Sequence, residues 1–116
     1  MDPHFEGVIF KTHSGEVRRR LRAPFPPFII LDVRPREEWE RARIPGSLSA
    51  PPEGLTALPE GSTGGTEFFV VGNQPEDPAM REASLALRRL GVRRVVEMTG
   101  GMAEWKMGGG PVERAA

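Results

Sequence analysis

Phe28-Ile29-Ile30-Leu31-Asp32-Val33-Arg34-Pro35 is the stretch that sets the architecture. Four consecutive apolar residues without polar alternation suit a strand covered on both faces, as in a parallel sheet held between helical layers. Asp32 and Arg34 follow at the C-terminal end of that strand, the place where open α/β sheets build their sites. Pro35 then suits the first position of a short helix through about Ala42, with Trp39 as its core anchor.

Upstream, Ala23-Pro24-Phe25-Pro26-Pro27 cannot be helical, because three prolines remove amide donors and force extended backbone. Before that loop, Val8 to Lys11 reads as a short strand, and Ser14 reads as the N-cap of a helix reaching about Leu21. Downstream, Ile44-Pro45-Gly46 ends the second helix, and Ser47 to Ala50 suits a brief edge strand. Residues 51–65, rich in Pro, Gly, Ser and Thr, read as a surface loop with one helical turn.

Phe68-Phe69-Val70-Val71 repeats the unbroken apolar pattern and predicts a second buried strand. The loop Gly72-Asn73-Gln74-Pro75-Glu76 leads into Asp77-Pro78, a cap followed by a first-turn proline. Ala79, Ala83, Ala86, Leu87 and Leu90 then recur at helical spacing, and Gly91 suits a left-handed cap. A strand within Val92 to Met98, a sharp turn at Gly100-Gly101 and a last helix from Met102 to Met107 with Trp105 inward complete the chain, and the tail beyond Val112 should fray. Strands and helices alternate, so the expected fold class is α/β: a small three-layer domain with a mostly parallel central sheet of about five strands. With 116 residues and 38% hydrophobic content, residues 1–116 are expected to form one domain.

Composition narrows the chemistry. The chain has no cysteine, which removes disulfides, thiolate metal sites and thiol nucleophiles together. Lys plus Arg and Asp plus Glu both number 16, so no overall field draws nucleic acid or an anionic membrane. The start, Met1 to Glu6, has no basic region or apolar stretch, which points to the cytoplasm. His4 and His13 read as solvated or lightly packed side chains without a role. Arg18-Arg19-Arg20 with Arg22 is the densest basic cluster; lacking interleaved aromatics, it reads as a solvated helix face rather than an RNA surface. The only Asn and Gln are the neighbours Asn73 and Gln74.

Three ordered stretches together resemble the rhodanese-like, or sulfurtransferase, domain. They are Leu31 to Trp39 continuing through Arg43-Ile44-Pro45-Gly46-Ser47, the strand, loop and helix ending at Leu90-Gly91, and Gly100 to Trp105 with Gly110-Pro111-Val112. Arg43 stands where the family carries histidine. The resemblance implies that active relatives begin the loop after the central strand with a cysteine, whose persulfide is cradled by backbone amides at a helix N-terminus. It also places Gly72 at that cysteine position, in a loop about two residues longer than the family's usual one.

The expected reading is therefore a rhodanese-like domain that is inactive as a sulfurtransferase. It would act as a binding or regulatory module for a small molecule or protein at the loop Gly72, Asn73, Gln74, Pro75, Glu76 and Asp77. Asp32, Arg34 and Arg43 are read as supporting residues, with Asp32 and Arg34 bracing loops by an ion pair. No catalytic residue, cofactor or metal is assigned. The alternatives are an enzyme of non-thiol chemistry using Glu76 or Asp77, and an idle scaffold serving protein interaction. Glu76 and Asp77 beside the loop amides would oppose thiosulfate, phosphate or arsenate, and Met80, whose thioether cannot carry a sulfane sulfur, is assigned to core packing.

Overall fold

The computed structural model describes residues 9–114. The elements run β1 (Phe10–Thr12), α1 (Ser14–Arg22), β2 (Phe28–Asp32), α2 (Arg36–Arg41), β3 (Leu48–Ser49), β4 (Glu67–Val71), α3 (Pro78–Arg89), β5 (Arg94–Met98) and α4 (Gly101–Met107), with a 3-10 turn at Pro52–Gly54. The strands form a five-stranded sheet in the order β1-β5-β4-β2-β3, and every pairing in it is parallel.

The unbroken apolar runs have the expected cause, because alternate residues of each strand feed two cores. Ile30, Phe69, Val71, Val96 and Met98 pack with Val17, Met102 and Trp105 on one face. Leu31, Phe68, Val70 and Val95 pack with Met80, Ala83 and Leu87 of α3 on the other. Met80 thus has the packing role expected of it. Gly91, at φ 92°, supplies the left-handed residue after α3, and the amide of Val92 reaches the Leu87 carbonyl at 3.0 Å to close the helix end. Among the described residues, no helix is long and apolar enough to cross a membrane.

Several local expectations need correction. The N-cap of α1 is His13, whose Nδ1 accepts from the Glu16 amide, and Ser14 instead donates its hydroxyl to Glu104 at 2.7 Å. His13 therefore has a structural task, whereas His4 lies outside the described residues. Pro35 is the cap of α2 rather than its first helical residue, and this short helix buries none of its side chains. Trp39 is accordingly half-buried. Its indole donates to Ser47, and the guanidinium groups of Arg36 and Arg43 stack on the ring at 5.3 and 4.1 Å. The ring of Trp39 joins neither core, whereas Trp105 of α4 packs against the sheet residues Val71, Val96 and Met98 and is the buried anchor at 1% exposure.

The tail does not fray at Val112. Glu113 exchanges two backbone hydrogen bonds with Arg43, and its carboxylate accepts from the Arg43 Nε and the Gly46 amide. Nor is the basic cluster of α1 wholly solvated. Arg20 is 8% exposed, donates to Glu67 at 2.7 Å and to the Pro26 carbonyl at 2.6 Å, and lies over the rings of Phe28 and Phe69.

Glu67 also accepts from Arg94. Burial pushes its carboxyl pKa up, but hydrogen bonds from Arg94 and Arg20, with their charges, outweigh burial and leave it lowered. A lowered folded-state pKa contributes stability that is present above the unfolded value, about 4.3, and is lost as pH falls through the folded one. Unfolding midpoints measured across the acid range should therefore drop below about pH 4.5, and Glu67→Gln should flatten that decline. An unchanged slope would remove Glu67 as its source.

Candidate functional site

The connection leaving β2 runs to the edge strand β3, and the one leaving β4 runs the other way, to β5. The C-terminal ends of β2 and β4 thus flank a topological switch point, where α/β sheets open a crevice. The Val33 amide extends the ladder to the Val71 carbonyl at 2.9 Å, which carries the two strand ends side by side into the crevice.

Asp32 and Arg34 sit beneath it as a buried ion pair, at 1% and 3% exposure. The Arg34 guanidinium reaches Asp32 Oδ2 at 2.7 Å and donates to the Ala42 carbonyl at 2.7 Å, and the Arg34 amide donates to Asp32 Oδ1. These hydrogen bonds tie the end of β2 to the end of α2. Arg43 turns elsewhere: its side-chain bonds go to Glu113 and the Trp39 carbonyl, none to the 72–77 loop.

The loop itself closes on its own carboxylate. Asp77 Oδ1 accepts from the Ala79 amide at 3.0 Å, capping α3, and Oδ2 accepts from the Asn73 amide at 2.9 Å. The carboxylate lies against Gly72, where a Cβ would come within 2.7 Å of Asp77 Oδ2 and 2.9 Å of its Cβ. Gly72 and the inward turn of Asp77 are thus a matched pair. Asn73 reaches Glu38 Oε2 through its carboxamide at 3.5 Å, while Gln74, Pro75 and Glu76 are exposed. Glu76 adopts φ 59°, which makes it the only non-glycine with positive φ among the described residues.

The opposite side of the loop is held by α4. The amides of Met102 and Ala103 donate to the Gly72 and Asn73 carbonyls, both at 2.9 Å. Gly101 makes this approach possible, since a Cβ there would stand 2.6 Å from the Asn73 carbonyl carbon, and its φ of 62° favours glycine besides. The sequence marks Gly100-Gly101 as a sharp turn and as the start of a family motif, but not as this contact.

Beside the loop, a cleft of about 500 Å³ opens between β1, β5 and the start of α3. Its floor holds Glu97, 3% exposed, whose carboxylate accepts from Arg81 at 2.9 and 3.2 Å and from the Ser84 hydroxyl at 2.9 Å. The hydrogen bonds that Arg81 donates to Glu97, with the Glu97 charge, raise the Arg81 pKa and keep the guanidinium charged. Sequence reading missed this group, although one acidic residue inside Val95-Val96-Glu97-Met98 was a visible signal. Among the described residues, no three His, Asp or Glu side chains gather as a metal-binding set.

This geometry can be set beside known proteins. A family profile described as "Rhodanese-like domain" matches residues 14–107. A rhodanese-like domain from Anabaena sp., solved in solution, is 30% identical and superposes with a TM-score of 0.78, covering 92% of this chain and 80% of that one. A single-domain sulfurtransferase of Saccharomyces cerevisiae is 18% identical at a TM-score of 0.75, covering 88% and 92% of the two chains. A Rhodopseudomonas palustris protein described as a possible tyrosine phosphatase is 21% identical at 0.75, covering 90% and 85%. At those identities the last two show the fold alone. No match was found among curated proteins. The parallel five-stranded order, the crevice at the switch point and a matching span from the first described helix to the last agree: the chain belongs to the rhodanese-like domain family.

Proposed function

We propose that this protein is a rhodanese-like domain without sulfurtransferase chemistry, and that the loop from Gly72 to Asp77 serves as a binding or regulatory surface. The observation that carries the reading is the Asp77 carboxylate. It accepts the amides of Asn73 and Ala79 and fills the space beside Gly72. A cradle for a sulfane anion needs those inward amides free, and a fixed negative charge in the same space repels thiosulfate. The chain has no cysteine to carry the sulfur in any case. The alternative of a carboxylate nucleophile at Asp77 is disfavoured, because both of its oxygens are already hydrogen-bonded to the backbone.

The test is direct. Purified protein given thiosulfate and cyanide should form no thiocyanate above a no-protein blank. Turnover that persists after contaminating thiol enzymes are removed would overturn the reading.

A further inference from the structure

With the space beside Gly72 filled, a neighbouring cleft of about 500 Å³ stays open beside the loop, and its size suits a small organic ligand. Among its charged lining, Asp77 is held by the amides of Asn73 and Ala79, and the remaining charges divide into two sets. Glu97 is fully engaged by Arg81 and Ser84, so the floor is an internally neutralised pair. Lys11 and Glu76 also line the cleft, both exposed, and neither side chain has an ion pair or hydrogen bond among the described residues.

Their placement is constrained by the fold. Lys11 is the registered partner of Glu97 in the parallel β1-β5 ladder, so its side chain leaves the same face of the sheet, toward α3. Glu76 is presented by the loop in a left-handed conformation that glycine would adopt without cost. A strained backbone that carries a carboxylate with no partner among the described residues is a site-like combination. Pro75, Pro78 and Met80 supply the wall next to Glu76 with apolar surface.

We propose that this cleft binds a small zwitterion with an apolar body, an α-amino acid, whose carboxylate meets Lys11 and whose ammonium meets Glu76. The inference rests on reading the 72–77 loop as a binding surface and names the ligand class for it. A cation alone would leave Lys11 unanswered, and an anion alone would face the Glu76 carboxylate.

L-leucine is the probe, with 3-methylbutylamine and 4-methylpentanoate as its amine-only and carboxylate-only halves, titrated into the full chain and followed by backbone amide NMR shifts. Leucine should give saturable shifts at Lys11, Glu76 and Thr99, and each half should bind at least about tenfold more weakly. Lys11→Met and Glu76→Gln, both at exposed positions and checked for an unchanged spectrum elsewhere, should each weaken leucine binding by about tenfold or more. Absence of saturable shifts in the cleft would overturn the proposal, as would halves that bind as tightly as leucine or variants that bind it unchanged. The two readings fail separately: thiocyanate turnover overturns the absence of sulfur transfer, whereas a flat leucine titration overturns only the ligand class.

Discussion

Arg34→Ala is expected to cost about 3–5 kcal/mol of folding stability, a large share of the roughly 5–15 kcal/mol that holds a domain together. The substitution leaves the Asp32 carboxylate, 1% exposed, without its countercharge, and it frees the Ala42 carbonyl that ends α2. Much of the cost should come from the stranded charge rather than from the lost attraction. Arg34→Met combined with Asp32→Asn should therefore recover a substantial part of it. Urea unfolding midpoints of the parent, the single variants and the pair form the measurement. A single-variant loss below about 1 kcal/mol would show that the pair is solvated in solution and does not brace the crevice.

Gly72→Cys is the second large effect, and it runs against the intuition that restoring a thiol restores an enzyme. The new Cβ would lie 2.7 Å from Asp77 Oδ2, 2.9 Å from its Cβ and 3.0 Å from its Cγ. Asp77 must turn out, and its bonds to the Asn73 and Ala79 amides go with it. Overpacking of this kind costs about 1–3 kcal/mol, and thiocyanate formation should stay at the blank. Asp77→Gly removes all three clashing atoms, so Gly72→Cys added to that background should cost markedly less than it does alone. Additive costs would show that the two residues do not share the space. Robust turnover by the single variant would show that the loop still presents its amides to a sulfur.

What the sequence disclosed and what it hid divide along physical lines. The strands at Phe28 and Phe68 and the helix after Asp77 were legible, because each rests on local pattern: unbroken apolar runs, a cap before proline, alanine and leucine at helical spacing. The resemblance to the family was legible for the same reason, as short ordered motifs. Arg20, Glu97 and the inward turn of Asp77 were hidden. Arg20 looked like one of several solvated arginines until the Pro26 carbonyl and Glu67 closed around it. Glu97 is tolerable in a buried strand only because Arg81 and Ser84, from another element, reach it. Asp77 was rightly read as a cap, but a cap uses one oxygen, and the second acquires its role from the path of the loop. Trp39 differs for another reason: aromatic character alone does not specify burial, and its half-buried ring is satisfied by Ser47 and by the guanidinium groups of Arg36 and Arg43.

The hydrogen bonds from Met102 and Ala103 divide the 72–77 loop into halves that differ in slack. Gly72 and Asn73 have both carbonyls committed to the last helix, in a close approach that depends on the missing side chain of Gly101. Gln74, Pro75 and Glu76 are exposed. Extra length can be taken up only in that outer half, so insertions there would alter what the domain meets while leaving the register of its inner half to α4.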